Sequence, residues 1–134
     1  MTRAVLLLLA LAAPTAAQTQ ADLNRRSAGG YQAADAALNA EYRRAMTHMA
    51  AEDKGRADDL RRGFVKPDGD PTYQAALLAS QRAWLAYRDR QCTLAGFEFR
   101  GGSASSMARG QCLTDLTRAR TAELRQIQTS FAPK

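Results

Sequence analysis

Few residues in this chain are equipped for chemistry. Cys92 and Cys112 are its only cysteines, His48 its only histidine, and Trp84 its only tryptophan. The cysteines lack the close C-x-x-C spacing of a redox pair. An even count in a chain that leaves the cytoplasm reads as a structural disulfide. Around Trp84 the run Trp84-Leu85-Ala86-Tyr87-Arg88-Asp89 places a guanidinium on nearly the same helical face as Leu85 and Cys92. A buried guanidinium needs a carboxylate or several carbonyls, because an unpaired charge is costly to desolvate. Asp35 upstream and Glu123 downstream are the candidate partners, so Trp84, Tyr87, Arg88, Asp89, Asp35 and Glu123 form a candidate structural network. Trp84 itself reads as core, since burying a large ring contributes a few kcal/mol.

Catalysis is poorly supplied. A lone His48 supports neither a zinc site nor a histidine-based hydrolase. Ser103, Ser105 and Ser106 cluster near a turn, where helix capping accounts for them. A small helical domain offers little of the concavity that a paired-carboxylate glycosidase requires. The expectation is a protein that is not an enzyme, with no catalytic residues, no cofactor and no metal.

The elements that position these residues are helical. Alanine, leucine, arginine and glutamine fill long stretches, only four prolines interrupt them, and no alternating strand pattern of useful length is present. The first helical region covers about 20 to 54, with paired Gly29-Gly30 as an expected interruption. Tyr31, Ala34, Leu38, Tyr42, Ala45 and Met49 draw its apolar stripe, leaving Arg43, Arg44, Glu52, Asp53 and Lys54 for water. Residues 55 to 62 continue it weakly or fray. In the connector 64 to 72, Pro67-Asp68-Gly69 is a turn, Asp70 the expected cap of the next helix, and Pro71 a first-turn proline. A second helix is expected over about 72 to 99, with Leu78, Leu85, Cys92 and Phe99 at seven-residue intervals. Gly101-Gly102 ends it, and Ser103 or Ser105 caps a third helix over about 105 to 129. Leu113, Leu116, Leu124, Ile127 and Phe131 draw the third stripe, with Arg120 as a polar interruption. The fold class is all-α: a small antiparallel bundle of three main helices. A Cys92–Cys112 bridge would staple the second helix to the third, worth roughly 3 kcal/mol in loop-closure entropy.

The N-terminus carries an address. Met1-Thr2-Arg3 precedes the uncharged run AVLLLLALAA, then Pro14 and the small residues Thr15-Ala16-Ala17. That order is a secretory signal over 1–17, cleaved after Ala17, leaving residues 18–134 as one domain. The run is about half the roughly 20 apolar residues a membrane-spanning helix needs. No transmembrane anchor is expected after cleavage, and no cysteine stands near the cleavage point for lipid attachment. The mature protein is expected in the periplasm or outside the cell.

Export changes the meaning of the charge. The chain carries 19 Lys and Arg against 13 Asp and Glu, for a formal charge of +6. In the cytoplasm such a balance would raise nucleic acid as a partner. Outside it the available polyanions are lipids, wall polymers and acidic protein clefts. The basic residues are also dispersed among acids, as on a solvated helix face. No nucleic-acid partner is expected.

From the second helix onward the chain resembles the lysozyme inhibitor LprI-like family of bacterial secreted proteins. The resemblance rests on QRAWLAYRDRQC (81–92), GGS (101–103) and QCLTDLTRARTAEL (111–124), with TQADLN (19–24) and YQAADAALNAEY (31–42) upstream. It implies a small, helical, disulfide-bonded domain in the periplasm or outside the cell; the family is named for a mycobacterial lipoprotein that inhibits lysozyme. Two departures stand out. Members often carry a further cysteine pair, one of it where Arg26 stands here, and an acid where Gly30 stands, which implies a looser first helix. The expected function is a non-enzymatic binding protein of the lysozyme-inhibitor type, partnered by a lysozyme or another envelope protein. Its candidate binding loop is Arg100, Gly101, Gly102, Ser103 and Arg109, a basic turn able to enter a cleft holding two carboxylates. The alternative is an envelope interaction module that binds anionic surface polymers or a partner protein without inhibiting anything. Oligomeric state is left open.

Overall fold

The computed structural model describes residues 19–131, so the expected signal segment lies outside the described residues. Three helices follow one another: α1 (Gln20–Arg62), α2 (Tyr73–Phe97) and α3 (Ala104–Ser130). Among the described residues there is no strand, and no helix is long and apolar enough to cross a membrane. Consecutive helices run antiparallel, as Asp53 meeting Tyr73 and Cys92 meeting Cys112 require. α1 and α3 are therefore parallel and share the broadest contact in the bundle. Cys92 and Cys112 are bridged, as the cysteine count implied.

α1 is one continuous helix of 43 residues. Its start is a capping box, in which Thr19 Oγ1 accepts from the Asp22 N–H and Asp22 accepts from the Thr19 N–H. The interruption expected at Gly29-Gly30 does not occur. Gly30 lies against α3, where an added Cβ would sit 3.8 Å from Thr114 Oγ1. Packing against α3 outweighs the roughly 1 kcal/mol propensity cost of each glycine. Residues 55–62 do not fray either. The helix ends on Gly63 in the left-handed region, with the Phe64 N–H bonded to the Asp59 carbonyl and the Gly63 N–H to that of Leu60. These are the two bonds of a Schellman cap.

The connector behaves partly as expected. Gly69 takes a positive φ of 80° after Pro67-Asp68. Asp70, however, does not cap α2. Thr72 does, accepting from the Ala75 N–H at 3.2 Å, which places Pro71 before the helix rather than in its first turn. Asp53, expected to face water, reaches across from α1 and accepts from the N–H groups of Tyr73 and Gln74. Four orphan donors begin every helix, and a carboxylate opposite them is favoured by the helix dipole as well. At the α3 start, Ser103 makes no capping bond, and Ser105 Oγ donates to the Gly96 carbonyl on α2 instead.

The buried seams of α2 and α3 are rotated from their expected positions. α2 buries Leu77, Gln81, Arg88, Cys92 and Gly96, leaving Leu78 and Leu85 half-buried and Phe99 exposed beyond the helix. α3 buries Thr114, Thr117, Arg120, Thr121 and Leu124. Small residues draw the helices close here: a Cβ added at Gly110 would lie 2.2 Å from Ser27 Oγ. Leu38, Ala45, Met49, Leu77 and Leu124 make the apolar centre, with Tyr42, Met46, Tyr73, Trp84 and Ile127 packed around it. Among the described residues, seven buried apolar residues stand beside seven buried polar or charged ones, so the core depends on polar groups being partnered.

Candidate functional site

Arg88 sits inside the bundle with 6% of its surface exposed. Its guanidinium donates to Asp89 at 2.9 Å, to Asp35 Oδ1 of α1 at 3.3 Å and to Thr117 Oγ1 of α3 at 3.5 Å. The rings of Tyr31 and Trp84 lie 5.4 and 5.3 Å from its central carbon. One cation thus touches all three helices, with two aromatic rings and three oxygen-bearing side chains around its guanidinium. Burial is the leading cause that raises the Tyr31 hydroxyl above its ordinary pKa, against an opposing pull from Arg88.

Glu123 is not part of this cluster. It pairs with Arg120 at 2.9 Å, one step further along α3. Arg120 also donates to Gln81 Oε1 at 3.1 Å and Ser80 Oγ at 2.8 Å, and its guanidinium stands 5.9 Å from the Trp84 ring. The residue expected to break the α3 stripe is instead a second buried cation, and Trp84 stands between the two. A third polar centre was missed altogether. Glu41 of α1 is buried and accepts from Arg44 at 2.8 Å, from Gln128 at 2.8 Å and from Arg125 at 3.0 Å. Those hydrogen bonds, Arg44 foremost, hold its carboxyl at about 2 against the opposing effect of burial. The available signal was position: Glu41 falls between Leu38 and Ala45 on the stripe that α1 buries.

Tyr87, grouped with Arg88 by sequence, points the other way and is exposed. The expected binding loop is divided as well. Arg100 stacks on the Phe97 ring at 4.5 Å, and Phe97 and Phe99 are both exposed beside it. Gly101 supplies the left-handed turn with φ 82°, and Gly102 donates to the Phe99 carbonyl at 2.9 Å. The Cys92–Cys112 bridge braces this tip from behind, with Cα atoms 5.4 Å apart. Arg109 lies within α3 on another face, lining a shallow cleft with Asn24, Ser27, Tyr31 and Ser106. Sequence distance concealed that separation.

His48 Nε2 stands 3.8 Å from Glu52 and, among the described residues, has no hydrogen-bond partner. Among the described residues, no group of three or more His, Cys, Asp and Glu is placed to hold a metal ion. What the surface offers is a helical hairpin with Phe97, Phe99 and Arg100 exposed at its tip beside Glu98.

The family model described as Lysozyme inhibitor LprI matches residues 10–124. An uncharacterized protein of Rhizobium meliloti (strain 1021) is 44% identical over 140 aligned positions, covering 95% of this chain and 94% of the relative. No solved structure matches.

Proposed function

The chain belongs to the lysozyme inhibitor LprI family, and from that premise we propose that its exported form, residues 18–134, is a non-enzymatic binding protein that occludes a lysozyme cleft. The observation that carries the reading is the α2–α3 tip, where Arg100 lies over the exposed Phe97 ring, Phe99 is exposed next to it in the chain, and the disulfide stands behind them. A lysozyme cleft holds two carboxylates flanking the scissile bond. A cation stacked on an aromatic ring is a suitable plug for it, because little side-chain freedom remains to be lost on docking. Aromatic residues and arginine are also the side chains that most often dominate binding energy. Net charge works against the encounter, since many lysozymes are basic as well, so affinity rests on local fit rather than steering.

The test measures lysozyme turnover on cell walls with residues 18–134 added, at low and high salt, beside a Phe99→Ala/Arg100→Ala variant. Inhibition that persists at high salt and falls at least tenfold in the variant supports docking through the tip. Inhibition that disappears at modest salt reports adsorption to the anionic wall, and favours the module that binds surface polymers. No inhibition under either condition overturns the proposal.

A further inference from the structure

The side of α2 that faces away from α1 and α3 is apolar. Ala76, Ala79, Ala83 and Ala86 follow one another at steps of three and four along it, and all are exposed. The same side continues with Tyr87, Leu94 and Phe97, which are 54%, 60% and 46% exposed. Steps of three and four are the spacing by which one helix packs along another. Nothing in the described chain covers this seam.

Its composition indicates what fits it. The N-terminal half of the seam is all alanine, and the C-terminal half carries the large side chains. A helix divided in this way is complementary to itself when turned end for end. Opposing α2 helices centred between Ala86 and Tyr87 set Leu94 against the second copy's Ala79 and Phe97 against the second copy's Ala76. Arg90, the one charge on the seam, then faces the second copy's Ala83, over which its aliphatic stem lies while the guanidinium reaches water. The flank is compatible with this register. Arg82 and Asp89 are seven residues apart, hence on one edge of the seam, and both are exposed. Antiparallel pairing in this register leaves Arg82 two residues, about 3 Å at the helical rise, out of level with the second copy's Asp89, an offset the long arginine side chain can span to reach a carboxylate that already accepts from Arg88. A parallel pair would instead stack large on large along the seam.

We propose that the outer face of α2 pairs with the same face of a second copy in an antiparallel, two-fold contact. The seam from Ala76 to Phe97 is about 33 Å long at the helical rise. That puts the contact at the small end of specific interfaces, so the dimer is concentration-dependent rather than obligate. Phe97 is shared with the α2–α3 tip, whose Phe99 and Arg100 lie beyond the seam, and the two Phe97 positions stand about 32 Å apart along the pair.

Sedimentation equilibrium on oxidised residues 18–134 is the primary test, run up to submillimolar protein. The expected result is a monomer–dimer equilibrium that Leu94→Asp weakens at least tenfold, with far-UV circular dichroism and melting unchanged because Leu94 is a surface residue. Single cysteines distinguish the geometry. Ala86→Cys, at the two-fold axis, forms a cross-linked dimer under mild oxidation, whereas Ala79→Cys does not. A chain that remains monomeric throughout overturns the proposal, as does a dimer indifferent to Leu94→Asp or one cross-linked as readily through Ala79→Cys. Monomers whose affinity for lysozyme falls with Leu94→Asp would assign the face to that partner and overturn the pairing too. The tip variant alters Phe99 and Arg100, beyond the seam, and Leu94→Asp lies outside the tip, so the two proposals fail separately.

Discussion

The Asp53 carboxylate of α1 accepts the backbone N–H of Tyr73 at 2.7 Å with one oxygen and that of Gln74 at 3.1 Å with the other. A side chain near the end of one helix thereby caps the next. Asp53→Ala leaves two first-turn donors without this acceptor, and the expected loss is roughly 1–2 kcal/mol in urea unfolding. Asp53→Asn retains one acceptor and loses less. Equal stability of all three proteins would remove the cap from the account of how α2 starts.

Glu41 makes the bundle sensitive to acid. Its folded pKa of about 2 lies below the 4.5 of a free glutamate. The ionised form therefore favours the fold. This contribution is fully present above pH 4.5 and is lost as pH falls through about 2. Asp22 and Asp68 are lowered as well, chiefly by Thr19 and by the Asp70 N–H, so the wild-type profile alone does not isolate Glu41. The melting temperature of Glu41→Gln should be lower at neutral pH and fall less steeply between those pH values. Parallel profiles for the two proteins would mean that Glu41 is not the source.

Glycines that look alike in sequence should respond in opposite ways. A Cβ at Gly29 meets nothing within 4 Å, so Gly29→Ala should gain about 0.5–1 kcal/mol from helix propensity alone. At Gly110 the first added carbon already meets Ser27 Oγ at 2.2 Å and Ser27 Cβ at 3.3 Å. Gly110→Val should lose roughly 1–3 kcal/mol by forcing α1 and α3 apart. Denaturant midpoints decide the matter, and shifts of the same sign in both variants would contradict the close approach seen at Gly110.

Arg88 is proposed as the tie between the three helices. Arg88→Ala should cost roughly 2–3 kcal/mol, mostly from lost packing between Tyr31 and Trp84. Asp35→Asn should cost under about 1 kcal/mol, because the carboxylate it alters is partly in water. A thermal melt unchanged in Arg88→Ala would sink this assignment.

Read alone, the sequence settled what depends on local composition. Helix content, the turn at Gly69, the buried stripe of α1 and the pairing of Cys92 with Cys112 follow from spacing and counting, and the family resemblance follows from motifs in order. The continuity of α1 through Gly29-Gly30 was decided by tertiary contact, since packing against α3 outweighs the glycine propensity cost. The same contact turned α3 onto its threonines, because small side chains allow a closer approach than the leucines beside them. Partner choice was also beyond the sequence: Glu123 with Arg120 rather than Arg88, Asp53 on the start of α2, and Arg100 apart from Arg109. Each is a contact in space between residues whose identities are compatible with several partners. Only the angle at which each helix meets its neighbours selects among them.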